Sequence, residues 1–274
     1  MSPTTATSPT PTAAAARMAV PGWAVQRVLA LVERNMMIYR RSITPLAFGL
    51  VEPLMYLITI GFGVGALVGT VPGVHVRYAE YVAPAILATT AMNTALNQTA
   101  FGVFVRIKTE GTYDAILPTP MSVTDIAVGE VVSAILNGLI TSIGFLIAMA
   151  ALGLAVSPGL LLAVPGSLLI GYAFAAGGMA VTTYLRDFAD FQLIQLVMLP
   201  MYLFATTFYP LDTYPGPLRP VIEALPLYQS IELIREPALG HLTLAILWPI
   251  AYLLAFGWLA MRIAVRRMTR TMLR

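Results

Sequence analysis

A chain of 274 residues that is 58% hydrophobic and 11% charged, with a mean hydropathy of +0.80, lies outside the usage of soluble domains, where roughly a quarter of residues are charged. Its composition is that of an integral membrane protein. The lack of cysteine excludes disulfides, thiolate metal sites and cysteine nucleophiles. His75 and His241 are far apart and outside the apolar spans, so no metal site is expected. The formal net charge of +3 comes with arginines beside apolar spans, a pattern that suits lipid headgroups and not nucleic acid.

Met1 to Ala16 is small, polar and dotted with proline, and cannot bury enough apolar surface to fold. It has neither the basic start nor the apolar core of a secretory signal, so residues 1–20 are expected to be a disordered tail. From Pro21 to Arg41, Val25, Val28, Leu29, Val32, Met36 and Tyr39 recur at helical spacing. Arg27, Arg34 and Arg41 repeat on the other side, with Gln26, Glu33 and Arg40. Such a helix lies along a membrane surface or packs on a partner. The span that follows at once favours the surface.

Span one covers about 43–68, enough to cross a hydrocarbon core of ~30 Å. It contains Glu52-Pro53 followed by Gly61, Gly63, Gly65 and Gly69. An acid within a span is a functional candidate by default; pairing with Arg40 or Arg41 near the inner interface is the structural alternative. Span two covers about 81–105 and carries Thr90, Asn93, Asn97 and Phe101 on one face, with Thr94 and Gln98 beside them. Polar side chains in lipid need partners, so this face meets another helix or a cavity. It is a candidate substrate path or dimer seam, as are Phe204 and Phe208 at the end of span five.

Arg106 to Glu130 interrupts the apolar tract and holds the only lysine, Lys108. Gly111 and Pro118 frame Thr112-Tyr113-Asp114-Ala115-Ile116-Leu117, because proline lacks a donor N–H and disfavours helix before it. A helix this short is marginal alone. The stretch is either a docking element, with Tyr113, Ile116 and Leu117 as anchors beside Glu110 and Asp114, or a solvated loop whose charges set topology.

Spans three to five cover about 126–154, 160–184 and 191–208, the last kinked at Pro200. Residues 209–240 are rich in proline and contain short amphipathic segments, read as half-buried or re-entrant from the outer face. Span six covers about 242–263, and residues 266–274 form a basic tail. Six spans place both termini on one side. Of 16 Lys and Arg, 13 fall on that side and only Arg77, Arg219 and Arg235 on the other, so both termini are expected in the cytosol.

This all-α plan of six spans, an amphipathic N-terminal helix, an inner handle and a proline-rich outer segment resembles the type-2 ABC exporter permeases. It is most similar to the branch with nodulation lipo-oligosaccharide and daunorubicin exporter permeases. The matching residues are Glu52-Pro53 with its glycines, Tyr81-x-x-Pro84, Glu110 to Leu117, Gly129-Glu130, Tyr209-Pro210-Leu211, and Leu225-Pro226-Leu227-Tyr228-Gln229-Ser230-Ile231-Glu232-Leu233-Ile234-Arg235. Gln229 stands where the family often has histidine, which leaves room for hydrogen bonding but not for a titrating imidazole.

The resemblance implies a coupling helix at Thr112 to Leu117, flanked by Glu110, Gly111 and Pro118, that docks on an ABC ATPase subunit. It implies a connector helix with Arg27, Glu33, Arg34, Arg40 and Arg41, and an outer re-entrant segment with Pro210, Pro226, Tyr228, Gln229, Glu232 and Arg235. Two permease subunits, identical or paralogous, and two ATPase copies are implied in the cell membrane, with an amphipathic, drug-like or lipid-linked cargo. The sole lysine follows Ile107, so the chain has no G-x-x-x-x-G-K-[ST] motif. ATP and magnesium are therefore expected on the partner, with no cofactor, metal or catalytic residue here. An ion-gradient transporter or channel would call for inverted repeats or several intramembrane acids, where only Glu52 and Glu130 qualify. An intramembrane lipid enzyme lacks a general base or metal site.

Overall fold

The structure, a computed structural model, describes residues 21–41, 44–71, 74, 76–110, 112 and 121–272. The expected N-terminal tail, Gly111, Tyr113 to Pro118, and the side chains of Arg40 and Arg41 lie outside the described residues. Helix α1 is Pro21–Arg41. Helix α2 starts as Thr44–Tyr56 and passes through a π-helical stretch, Leu57–Val64, into Gly65–Val68. Helix α3 runs without a break through Tyr78–Asn97, a π-helical turn at Gln98–Gly102, and Val103–Lys108.

Helix α4, Val123–Ala151, starts at a reciprocal cap in which Ser122 Oγ accepts from the Asp125 N–H and Asp125 Oδ2 accepts from the Ser122 N–H. A 3-10 turn, Pro158–Leu162, leads into α5, Ala163–Thr182. Helix α6 is Phe191–Phe204 with Pro200 inside it. The short α7, Arg219–Glu223, and α8, Pro226–Ala238, precede α9, Leu247–Met272. Among the described residues the only β pairing is one isolated bridge between Thr70 and Arg77. The protein is an all-helical integral membrane protein.

Among the described residues, four helices are long and apolar enough to cross a membrane: Gly49–Val68, Val123–Ala151, Pro158–Thr182 and Leu244–Arg270. The other two expected spans look different. Helix α3 has the length, but its run of Thr89, Thr90, Asn93, Thr94, Asn97 and Gln98 dilutes its apolar character. The fifth is a shorter apolar helix, Phe188–Phe204.

Helix α3 is the axis of the bundle, buried from Tyr81 to Met92, and it packs against α4, α5 and α8, while α9 packs on α5. Small side chains let these helices approach, as packing in lipid requires: Ala83, Ala88, Ala91 and Ala95 on α3 share one buried cluster with Ala173 and Ala175 on α5. At Gly178 a Cβ would collide with Thr99 Oγ1 and lie 3.1 Å from the Leu96 carbonyl. The Thr182 hydroxyl donates across this contact to the Thr99 carbonyl at 2.9 Å. Helix α6 is peripheral, and only Met201 of it is buried.

Candidate functional site

The polar face of α3 opens into a cavity of about 530 Å³ between α2, α3, α4 and α6, with Tyr39 of α1 at its edge. Glu52, Thr90, Asn93, Asn97 and Phe101, expected from the sequence, all line it. Glu52, Asn93, Asn97 and Gln195 are exposed on this side. Thr90 turns its hydroxyl to the Ile86 carbonyl at 2.7 Å, satisfying it within the helix. Among the described residues Glu52 is the only charged side chain on the wall, and it has no ion pair there. Tyr56 and Tyr202 face each other at 6.5 Å between ring centres, and Phe101 meets Phe191 edge-on at 5.3 Å. The wall thus combines amides, hydroxyls, rings and one carboxylate.

Phe204 and Phe208 are not part of it. Phe204 is turned outward against Tyr214, and Phe208 packs edge-on behind Tyr202 at 5.3 Å. Instead, α6 presents Gln195, Met198, Leu199 and Tyr202. The sequence reading also passed over Asn137 of α4, a single amide in an apolar run, which lines the cavity and donates to Gln98 at 2.6 Å.

At one end of the bundle, Glu130 of α4 is fully buried and gathers three elements. It pairs with Arg106 at the end of α3, lies 3.7 Å from Arg34 of α1, and accepts from Asn35 at 3.1 Å. Asn35 also donates to Ser133 at 3.1 Å. Nearby, Arg27 pairs with Asp125 at 3.0 Å, so the acid that caps α4 also holds α1. Glu33 is exposed. Arg27 and Arg34 of α1 are therefore turned onto α4, and Val25, Leu29, Met37 and Ile38 are exposed. The signal for this hub was the Gly129-Glu130 pair: a Cβ at Gly129 would collide with Leu31, so glycine lets α1 settle beside Glu130. Of the coupling residues, Glu110 and Thr112 are described, and the Thr112 hydroxyl donates to the Glu110 carboxylate at 3.0 Å.

Residues 26–239 match the ABC-2 type transporter family. The chain belongs to that family. This ABC-2 chain is 34% identical over 225 residues to Nodulation protein J of Rhizobium leguminosarum bv. trifolii, covering 81% of this chain and 85% of that protein. To Nodulation protein J of Rhizobium meliloti (strain 1021) it is 32% identical over 214 residues, covering 77% and 81%. It is a transmembrane ABC transporter subunit.

Residues 209–240 of this ABC-2 subunit, expected as its outer segment, are held by Arg235, which is 3% exposed. Its guanidinium stacks on the Tyr81 ring at 3.9 Å and donates to the Thr206 carbonyl at 2.7 Å and to Glu232 at 3.3 Å. Thr206 adopts φ 59°, a left-handed conformation that threonine rarely takes. Pro226 opens α8 at its first turn, where proline is favoured, and Pro210 precedes the 3-10 turn Leu211–Thr213. Gln229 donates to the Glu223 carbonyl at 2.6 Å. Tyr228 and Glu232 line a second cavity of about 470 Å³ with Glu223, Glu236 and Tyr252. Burial raises the Glu232 carboxyl above its usual range, and Arg235 opposes that rise.

Proposed function

We propose that this chain is the permease of an ATP-driven exporter in the cell membrane, with both termini in the cytosol. Two such subunits form the path for an amphipathic, drug-like or lipid-linked cargo, and two copies of a separate ABC ATPase bind ATP and magnesium. The observation that carries this reading is the cavity itself. Exposed Glu52, Asn93, Asn97 and Gln195 on membrane helices are incompatible with lipid contact, so the open side calls for a second permease or cargo. Rings and amides on one wall suit a molecule with an apolar and a polar part. Export of molecules related to what Nodulation protein J handles is one version of this reading.

Force from the ATPase enters through Glu110 to Leu117, and Arg106, two residues before Lys108 ends α3, ties that segment to the Glu130 hub. Tyr113 is the main anchor, because tyrosine is among the side chains that dominate interfaces, where truncation costs about 2 kcal/mol or more, and Leu117 is a second, apolar anchor. The permease carrying Tyr113→Ala and Leu117→Ala is expected to insert normally, co-purify poorly with its ATPase in detergent, and lose cargo-stimulated ATP hydrolysis in liposomes. Binding and stimulation equal to those of the unmodified chain would sink the coupling assignment.

A further inference from the structure

The Gln98–Asn137 contact is unfinished. Asn137 Nδ2 donates to Gln98 Oε1 at 2.6 Å, which leaves Gln98 Nε2 and Asn137 Oδ1 buried and without partners. The two residues are 5% and 2% exposed, and both line the cavity. Turning both amides over gives the same inventory, one unused donor and one unused acceptor, because each amide has both. Unmatched amide groups in a buried site are costly and draw in whatever completes them. Gln98 also opens the π-helical turn Gln98–Gly102, a distortion that recurs at functional sites.

We propose that the Gln98–Asn137 pair determines specificity: it recognises an uncharged group that donates and accepts hydrogen bonds, such as a carboxamide or hydroxyl, and together with Glu52 it rejects anionic groups. The inference rests on the reading of the cavity as the cargo site. A carboxylate or phosphate offers acceptors only. It would answer the free Gln98 donor while setting negative charge against the Asn137 carbonyl and Glu52, with no basic residue among the described residues of the wall to offset it. An ammonium offers donors only and leaves the Gln98 donor unmatched. A carboxamide answers both. The two free atoms lie just inside the wall, so the entering group reaches them as the flexible Gln98 side chain gives way.

The test uses the full chain in nanodiscs without any ATPase, and three photoreactive probes that share a twelve-carbon chain (about the length of one leaflet's acyl core). One ends in a carboxamide, one in the isosteric carboxylate and one in an ammonium. The carboxamide is expected to label peptides of α3 and α4 at a concentration on the order of fivefold lower than either charged probe, as the one hydrogen bond that each charged group forgoes would give. The double variant Gln98→Met with Asn137→Leu removes every unmatched atom together, which favours folding, and should erase the preference over the ammonium. Glu52→Gln should raise labelling by the carboxylate. Cavity labelling without headgroup preference, or an unchanged preference in the double variant, would overturn the role of the amide pair. Absence of cavity labelling by all three probes would overturn the cargo site itself, and neither result bears on ATPase binding.

Discussion

Glu130 shows how one side chain can join three helices. Its carboxylate is inaccessible and takes Arg106, Arg34 and Asn35, so its loss takes the carboxylate away from Arg106, whose side chain is largely buried. Breaking a buried pair in this way costs about 3–5 kcal/mol. Arg34 is different, since its side chain is 34% exposed and lies 3.7 Å from Glu130; a pair open to solvent is worth about 1 kcal/mol or less. Thermal unfolding in detergent should therefore rank Glu130→Ala far below Arg34→Ala, with the latter near the unmodified protein. Equal losses would mean that the hub is held through Arg34 and not through the buried face of α4.

At the scale of elements, the contact between α1 and α4 explains what the sequence could and could not reveal. Helical spacing located α1, but its apolar residues proved divided: Val32 is buried, while Val25 and Leu29 are exposed. The reason is that Asp125 and Glu130 of α4 offer Arg27 and Arg34 partners inside the protein, information that periodicity within α1 does not hold. The polar face of α3 was legible because amides repeat there at helical spacing, and Glu52 because an acid stands out in an apolar span. Asn137 was not, since its polar neighbours in register, Ser133 and Thr141, are hydroxyls that donate to carbonyls of their own helix, and its meaning comes from Gln98 across the interface. The orientation of Phe204 and Phe208 depends on how the end of α6 turns after Pro200, and neither π-helical stretch has a local sequence signature. Gly129 carries a direct test of the α1 contact. A side chain there meets Leu31, so Gly129→Val should lift α1 from α4 and raise amide hydrogen exchange across Pro21–Arg41, with little change in α5. Unchanged protection of α1 would show that the ion pairs alone hold it.

Over the whole molecule, charge decides which way the bundle faces. The count of 13 basic residues against 3 favours cytosolic termini, and in the structure the three exceptions are locally paired. Arg77 pairs with Glu80, Arg219 with Asp212 at 3.2 Å, and Arg235 with Glu232 at 3.3 Å. Each is matched by an acid at its own end of the bundle, and three scattered basic residues there stay outnumbered by the 13 at the other end. At the other end, Arg262, Arg266, Arg267 and Arg270 line α9, and the Arg267 guanidinium sits over the Tyr184 ring at 3.7 Å, an arrangement suited to a headgroup layer where cations and rings meet. The chain contains no cysteine, so single cysteines report without background. Thr109, just past α3, and Thr213, in the outer segment, are both exposed and lie on opposite sides of the expected membrane. An impermeant maleimide added to intact cells should label Thr213→Cys and spare Thr109→Cys until the membrane is opened. Labelling of Thr109→Cys alone would invert the molecule and place the proposed ATPase contact on the wrong side, and labelling of both from outside would break the six-span plan.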